Sequence, residues 1–329
     1  MIEVSKAGLL TTVQDLGRPG YQRHGVVVGG AVDGFAARVA NLLVGNEPNA
    51  ALIEMALIGP ELKFAADALV ACCGAEFEAK LAGAALPKDR PVRVAAGQVL
   101  SFGPARKGAM AWLAVAGGID VPLVMQSRST YRRAGVGGHE GRGLIPGDKL
   151  KVFPAPDPAR EKLEKLLRAG RVAPAWSIRP EVLGVPPSAG ELRAMRGPEW
   201  DWFTPAAQAA FFTEPFRVTK DADRMGLRLD GRPLELAAPR EMISSAVNAG
   251  VVQVPPGGQP IVLSASRQTI GGYPRIAAVA AVDWGGIAQL KPGDTVRFRE
   301  ITVAAAQDLL AQRERDLQRV QMGLARLPL

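Results

Sequence analysis

A mainly β fold made of many short strands is what this sequence predicts, and three observations carry that prediction. Glycine at 37 and proline at 26 punctuate a chain of 329 residues so often that strands joined by turns are favoured over a helical bundle. The apolar residues come in short runs cut by glycine. Few stretches carry helical spacing, and the clearest of these is brief.

At this length one ordinary core is too small, so two compact domains or one large β architecture are expected. From residue 1 to 153 the strand candidates are Ala68 to Cys73, Pro91 to Val94, Val99 to Phe102, Met110 to Ala116 and Lys149 to Phe153. One helix interrupts them. Asp33 is placed to cap it, Phe35, Ala36, Val39, Ala40, Leu42 and Leu43 supply its apolar stripe, and Gly45 terminates it. Residues 154–190 read as a linker, with prolines at 154, 156, 158, 174, 180, 186 and 187 around a charged helical segment from Ala159 to Ala169. A second β domain over 191–300 starts with Leu192 to Met195 and a short helix from Thr204-Pro205 to Phe212. Its strands continue at Phe216 to Thr219, Val251 to Val254, Ile261 to Ser264 and Ile276 to Val282. Residues 301–329 predict a C-terminal helix with Leu310, Leu317, Val320 and Leu324 as a narrow apolar seam.

The two β domains share an ending. Ile145-Pro146-Gly147-Asp148 and Lys291-Pro292-Gly293-Asp294 each lead into an alternating strand, and Ala96-Gly97-Gln98 begins a third copy without the proline and aspartate. Related β units and convergent turn chemistry both account for such echoes.

Composition prunes the function classes. The net charge of +8 comes mostly from scattered arginines, with no block of like charge and 5% aromatics, which argues against nucleic acid and for an anionic substrate or acidic partner. Adjacent Cys72 and Cys73 lie in an apolar run and read as reduced, buried strand residues. No secretory leader pattern and no membrane-length apolar run occurs, so a cytoplasmic protein is expected. There is no phosphate-binding P-loop, nucleophile elbow or HExxH motif, and two histidines, His24 and His139, are too few for a histidine-rich metal site. No metal ligands are assigned.

Four polar clusters lie beside glycines, where a backbone can approach a ligand closely. Gln14-Asp15-Leu16-Gly17-Arg18 offers an amide, a carboxylate and a guanidinium, suited to gripping a carboxylate or amide, or equally to a turn stapled by an ion pair. Ser127-Arg128-Ser129-Thr130, after Gly117-Gly118-Ile119-Asp120, reads as an anion clamp or as ordinary hydroxyl turn chemistry. Around Asp223-Arg224-Met225-Gly226, the alternation of Met225, Leu227 and Leu229 points to a half-buried strand. The fourth stretch, Arg267-Gln268-Thr269-Ile270-Gly271-Gly272-Tyr273-Pro274, places a neutral amide and a hydroxyl before a glycine pair. It holds no strong base, so it is suited to orienting and polarising an amide by hydrogen bonds.

These clusters, with Gly30-Ala31-x-Asp33, Ala40-Asn41-x-Leu43-Val44-Gly45-Asn46, Gly59-Pro60 and Gln253-Val254-Pro255, come in an order that resembles one family. It comprises allophanate hydrolase subunit 2, the C component of 5-oxoprolinase, the carboxyltransferase part of urea carboxylase and the sporulation regulator KipA. The resemblance covers roughly residues 1 to 300. It implies cyclophilin-like β-barrel units, and partner subunits A and B, the latter KipI-like. The implied reaction is ATP-driven opening of 5-oxoproline to glutamate, with ATP, and Mg with it, shared with the partners. Implied catalytic residues are Asp33, Gln268 and Tyr273, with Gln14, Asp15, Arg18, Arg128, Ser129, Thr269, Gly271 and Gly272 binding substrate. The resemblance leaves two alternatives: a biotin-dependent urea or amide carboxyltransferase, with biotin on a separate carrier, and a non-catalytic regulator binding a KipI-like inhibitor. Two positions depart from the family pattern. Ser266 stands where relatives carry an acid, and Gln126 where they carry glycine. Asp33, Glu54, Glu241 and Asp283 are the carboxylates left to serve in place of that acid.

Overall fold

The computed structural model describes residues 1–178 and 190–324; Pro180, Pro186 and Pro187 of the expected linker lie outside the described residues. The chain forms two compact units. The first holds Met1–Arg18, Asp33–Leu183 and Asp316–Leu329, and the second holds Pro19–Val32 and Gly184–Arg315.

The sheet of the first unit runs in the order Leu10–Gln14, Leu52–Ala56, Val99–Val115, Glu61–Phe64, Ile2–Lys6, Lys149–Val152 and Ile119–Asp120. Ala68–Leu81 pairs with Val99–Val115 beside this path. The two expected strands Val99 to Phe102 and Met110 to Ala116 are therefore one strand of 17 residues. Gly103-Pro104 and Gly108 read as a break, but register shifts between Gly74 and Ala79 absorb the irregularity, so pairing continues on both sides of it. Gly74 supplies part of this at φ 106, where a Cβ would meet the Met110 carbonyl at 2.6 Å. Cys72 and Cys73 are buried free thiols on this strand, as expected, and burial pushes the Cys72 thiol up to about 12.

Helix α1 (Gly34–Leu43) forms as its sequence dictates. Asp33 Oδ1 accepts the N–H groups of Phe35 and Ala36 at 3.0 Å, the apolar stripe is buried, and Gly45 closes the end at φ 77. Helix α2 (Asp157–Arg168) buries Ala159 and Leu166, and the backbone N–H of Arg93 donates to Val172. The described part of the expected linker thus groups with the first unit.

The second unit is a closed barrel: Glu191–Arg196, Arg275–Val279, Val251–Gln253, Ile261–Leu263, Gly226–Asp230, Phe216–Val218 and Thr295–Glu300. Leu227 and Leu229 are buried, as the alternation requires. Helix α3 (Pro205–Thr213) is capped by Thr204 and packs Phe211 onto Phe298 with ring centroids 4.5 Å apart. The run from Ile276 leaves the barrel after Val279 and turns into helix α4 (Trp284–Gln289). Helix α5 (Val303–Leu324) buries Ala306, Leu317 and Leu324, while Leu310 is 40% exposed. Near its start the helix packs through Leu309, which lies with Ala306 against Ala280 and Val282.

The repeated turn is a structural repeat. At Ile145–Asp148, Lys291–Asp294 and Ala95–Gln98 the fourth residue's N–H donates to the first carbonyl at 3.2, 3.0 and 3.1 Å, with the third-position glycine at φ 94, 93 and 80. The fourth side chain closes each turn by accepting the first residue's N–H, at 2.9 Å on Asp148, 3.0 Å on Asp294 and 2.8 Å on Gln98. Glutamine thus replaces aspartate without loss of the bond, since both present an acceptor oxygen.

Candidate functional site

In the first unit the Gln14–Arg18 and Ser127–Thr130 clusters close into one knot around a carboxylate. The strand Leu10–Gln14 delivers Asp15, which is 3% exposed, to the turn at Ser127. Asp15 accepts Ser127 Oγ at 2.7 Å, Ser129 Oγ at 2.5 Å, the Arg128 N–H at 2.6 Å and the Gly17 N–H at 2.8 Å. Oδ1 takes three of these donors and Oδ2 one, so the carboxylate is held firmly at the centre of the knot. Thr130 adds Oγ1 and N–H bonds to the Val13 carbonyl.

Arg18 is 1% exposed and donates from Nη2 to the Ser129 carbonyl at 2.5 Å. Its pKa is lowered by burial, and the neighbouring Asp15 opposes that shift. Gln14 donates to Thr12 Oγ1 and the Thr130 carbonyl at 3.0 and 3.3 Å. Gln14 Oε1 and Arg18 Nη1 are buried without a hydrogen-bond partner among the described residues. Arg128 bonds the Val121 carbonyl and lies 5.0 Å from the centroid of the Phe153 ring. The glycine loop near His139 packs on the knot: a Cβ on Gly137 would sit 2.2 Å from the Ser129 carbonyl and one on Gly138 1.9 Å from Thr130 Oγ1. Gln126 adopts φ 61, a left-handed conformation that accounts for the glycine implied at that place in relatives.

In the second unit the Arg224 and Gln268 clusters also meet. Ser266 N–H donates to the Arg224 carbonyl at 2.8 Å, and Arg224 Nε reaches Ser266 Oγ at 3.4 Å. Arg224 Nη2 bonds the Gly30 carbonyl at 2.6 Å, and burial lowers this guanidinium to about 10. The stretch Ile270–Gly271 pairs with Ser245–Ala246, which fixes the glycine pair. Gln253, 1% exposed, donates from Nε2 to the Tyr273 carbonyl at 3.3 Å and accepts Gln268 Nε2 on its Oε1 at 3.2 Å. The carbonyl admits only a donor, so both amides are oriented and Gln268 Oε1 is left as an acceptor. Gly271 is required beneath this relay, since a Cβ would lie 2.5 Å from Gln253 Nε2. Thr269 gives its carbonyl to the Val247 N–H, and the Tyr273 side chain is half exposed.

The candidate carboxylates have other partners or lie exposed. Asp33 caps α1, Glu54 accepts Trp112 Nε1 at 2.9 Å, Asp283 clamps Arg193, and Glu241 is exposed. Among the described residues no group of three or more His, Cys, Asp or Glu side chains could hold a metal ion. Sequence reasoning used Gln253 only as a landmark and assigned no role to Arg267 or Ser245. An amide within the apolar run Val251-Val252-Gln253-Val254 is the signal that could have singled out Gln253.

A closed seven-stranded barrel in one unit and a ten-stranded sheet in the other define the class as a mainly β protein of two units. The chain belongs to the family described as carboxyltransferase domain, subdomains A and B, whose model matches residues 24–300. It is 39% identical over 306 residues to the 5-oxoprolinase C component of Escherichia coli K12, covering 93% of each chain. It is 36% identical to the 5-oxoprolinase C component of Haemophilus influenzae, covering 95% of this chain and 96% of that one. The structure of Kluyveromyces lactis urea carboxylase matches with a TM-score of 0.86 at 29% identity, over all of this chain and 30% of that one.

Proposed function

We propose that this chain is the C component of an ATP-dependent 5-oxoprolinase, opening 5-oxo-L-proline to L-glutamate together with subunits A and B. The observation that carries the reading is likeness to two 5-oxoprolinase C components along nearly their whole length. The amide relay supports it chemically. Gln268 Oε1 is an acceptor for the N–H of a lactam, and the Gln253 bonds hold it in place before substrate arrives. A lactam is a stable amide, and phosphoryl transfer from ATP to its oxygen supplies the leaving group that hydrolysis needs. ATP, and Mg with it, are shared with the partner subunits in this reading, and Tyr273 and Thr269 flank the substrate. Within the first unit, taken by itself, Arg18 and Gln14 each keep an orphan polar atom and, with Arg128 and Ser129, form a candidate ligand-binding cluster. Asp15, held by four donors, acts as their support.

A second reading is carboxyl transfer to urea or another small amide, with biotin on a separate carrier, and the likeness to urea carboxylase favours it. Reconstitution with subunits A and B separates the two. The expected result is ADP release that depends on 5-oxoproline, with Gln268→Ala abolishing it while the chain stays folded. Turnover that survives in this variant sinks the role given to Gln268, and carboxylation of urea with a biotin carrier supports the second reading.

A further inference from the structure

Arg267 opens the signature stretch and is 8% exposed. Its one side-chain hydrogen bond among the described residues runs from Nε to the Val247 carbonyl at 3.4 Å, and no carboxylate among them pairs with it. Burial lowers its pKa, yet guanidinium stays cationic at neutral pH. The contrast with Arg275 of the same barrel is informative. Arg275 grips Glu199 through Nη2 at 2.6 Å and Nε at 2.7 Å, so its charge is neutralised within the chain. A buried cation lacking such a partner is costly, and that cost is offset when an anion arrives.

Polar groups with open hydrogen-bonding capacity lie along the same stretch. Gln268 follows Arg267 in the chain and presents Oε1 as an acceptor. Ser245 Oγ is buried without a hydrogen-bond partner on the strand that pairs with Ile270–Gly271. A Cβ on Gly272 would approach Ser244 Oγ at 3.1 Å, so glycine there keeps space beside these hydroxyls. The set combines one cation, hydroxyl groups able to donate, and one amide acceptor. Urea offers such a set no countercharge for the cation, whereas a carboxylate-bearing amide offers both a countercharge and an amide N–H for the acceptor.

We infer that this site takes an anionic amide, with the Arg267 guanidinium receiving the ligand's carboxylate while Gln268 accepts its amide N–H. The inference rests on the reading that Gln268 faces the substrate amide, and it deepens that reading by giving Arg267 the part of selecting a lactam acid over a neutral amide.

The test uses the complex assembled with subunits A and B and two probes that share one lactam ring, 5-oxo-L-proline and 2-pyrrolidinone, which lacks the carboxylate. Arg267→Met is expected to raise KM for 5-oxo-L-proline by about tenfold to a hundredfold, and to leave inhibition by 2-pyrrolidinone unchanged. Arg267→Lys should recover part of the loss, since it restores charge without the planar fork. An unchanged KM in Arg267→Met, or equal loss for both probes, overturns the inference. Gln268→Ala reports separately on the underlying reading, because it should weaken both probes; if it weakens neither, that reading falls whatever Arg267 does. Should the complex turn over no 5-oxoproline, calorimetric titration of the full chain with both probes decides the matter. There, identical heats from wild type and Arg267→Met count against Arg267.

Discussion

Asp15 in the first unit and Arg267 in the second are both charged, both buried and both set beside glycines, yet they are built in opposite ways. Asp15 is surrounded by four donors from within the chain, whereas Arg267 has one long bond to a carbonyl and no acid among the described residues. A charge whose partners are internal holds the fold together, and in the inference drawn above a charge without one takes its partner from a ligand. Motif membership does not distinguish the two; hydrogen-bond saturation does.

The contrast is broken most sharply by removing each charge. Asp15→Ala strands two hydroxyls and two backbone N–H groups and should cost about 3–5 kcal/mol in urea unfolding. Arg267→Met should leave stability within about 1 kcal/mol of wild type or raise it, because it removes a desolvated charge. Comparable losses in the two variants would dissolve the distinction.

Glycine substitutions sharpen it next. Gly137→Ala forces a Cβ at φ 71 against the Ser129 carbonyl and Arg18, and should destabilise by about 3 kcal/mol. Gly271→Ala meets the end of the Gln253 side chain, so it should lower activity by displacing the relay, with a stability loss of about 1 kcal/mol or less. Parallel melting curves and turnover assays separate the two effects.

A smaller effect lies in the repeated turns. Arg142 hydrogen bonds hold Asp148 down at about 2, against burial, with help from the Ile145 N–H. Its folded pKa is depressed, so its contribution is present above the ordinary aspartate pKa and is lost as pH falls from about 4 to 2. Asp148→Asn should therefore cost about 2 kcal/mol at pH 7, and the variant and wild type should converge near pH 2. The equivalent turn at Gln98 has no titrating group in that role and should contribute the same at both pH values. Smallest is Gln126→Gly, expected to gain about 0.5 kcal/mol by relieving a left-handed backbone.

Much of the fold was legible because its signals are local. Asp33 before an apolar stripe and Gly45 after it specify α1 through bonds spanning three residues or fewer. The turn at Gly147 and its copy at Gly293 likewise depend on neighbours alone. The strand Val99–Val115 was not legible, since Gly103-Pro104 signals a break and only the bulged partner Ala68–Leu81 carries pairing past it. Leu309 rather than Leu310 enters the helical seam for a similar reason, because the packed face is chosen by what it packs on.

By itself, then, the sequence determined the mainly β class, the cap and end of α1, the repeated turns and the family to which the clusters belong. Tertiary structure alone decided which polar groups of those clusters find hydrogen-bond partners within the chain. The Asp15 knot is made with Ser129, 114 positions away, and the Gln268 relay with Gln253, 15 positions away, so whether a polar group is satisfied depends on chain segments that no local pattern brings together. Saturation is a property of the assembled neighbourhood, and Arg267 acquired its significance only when the described part of that neighbourhood proved to lack an acid.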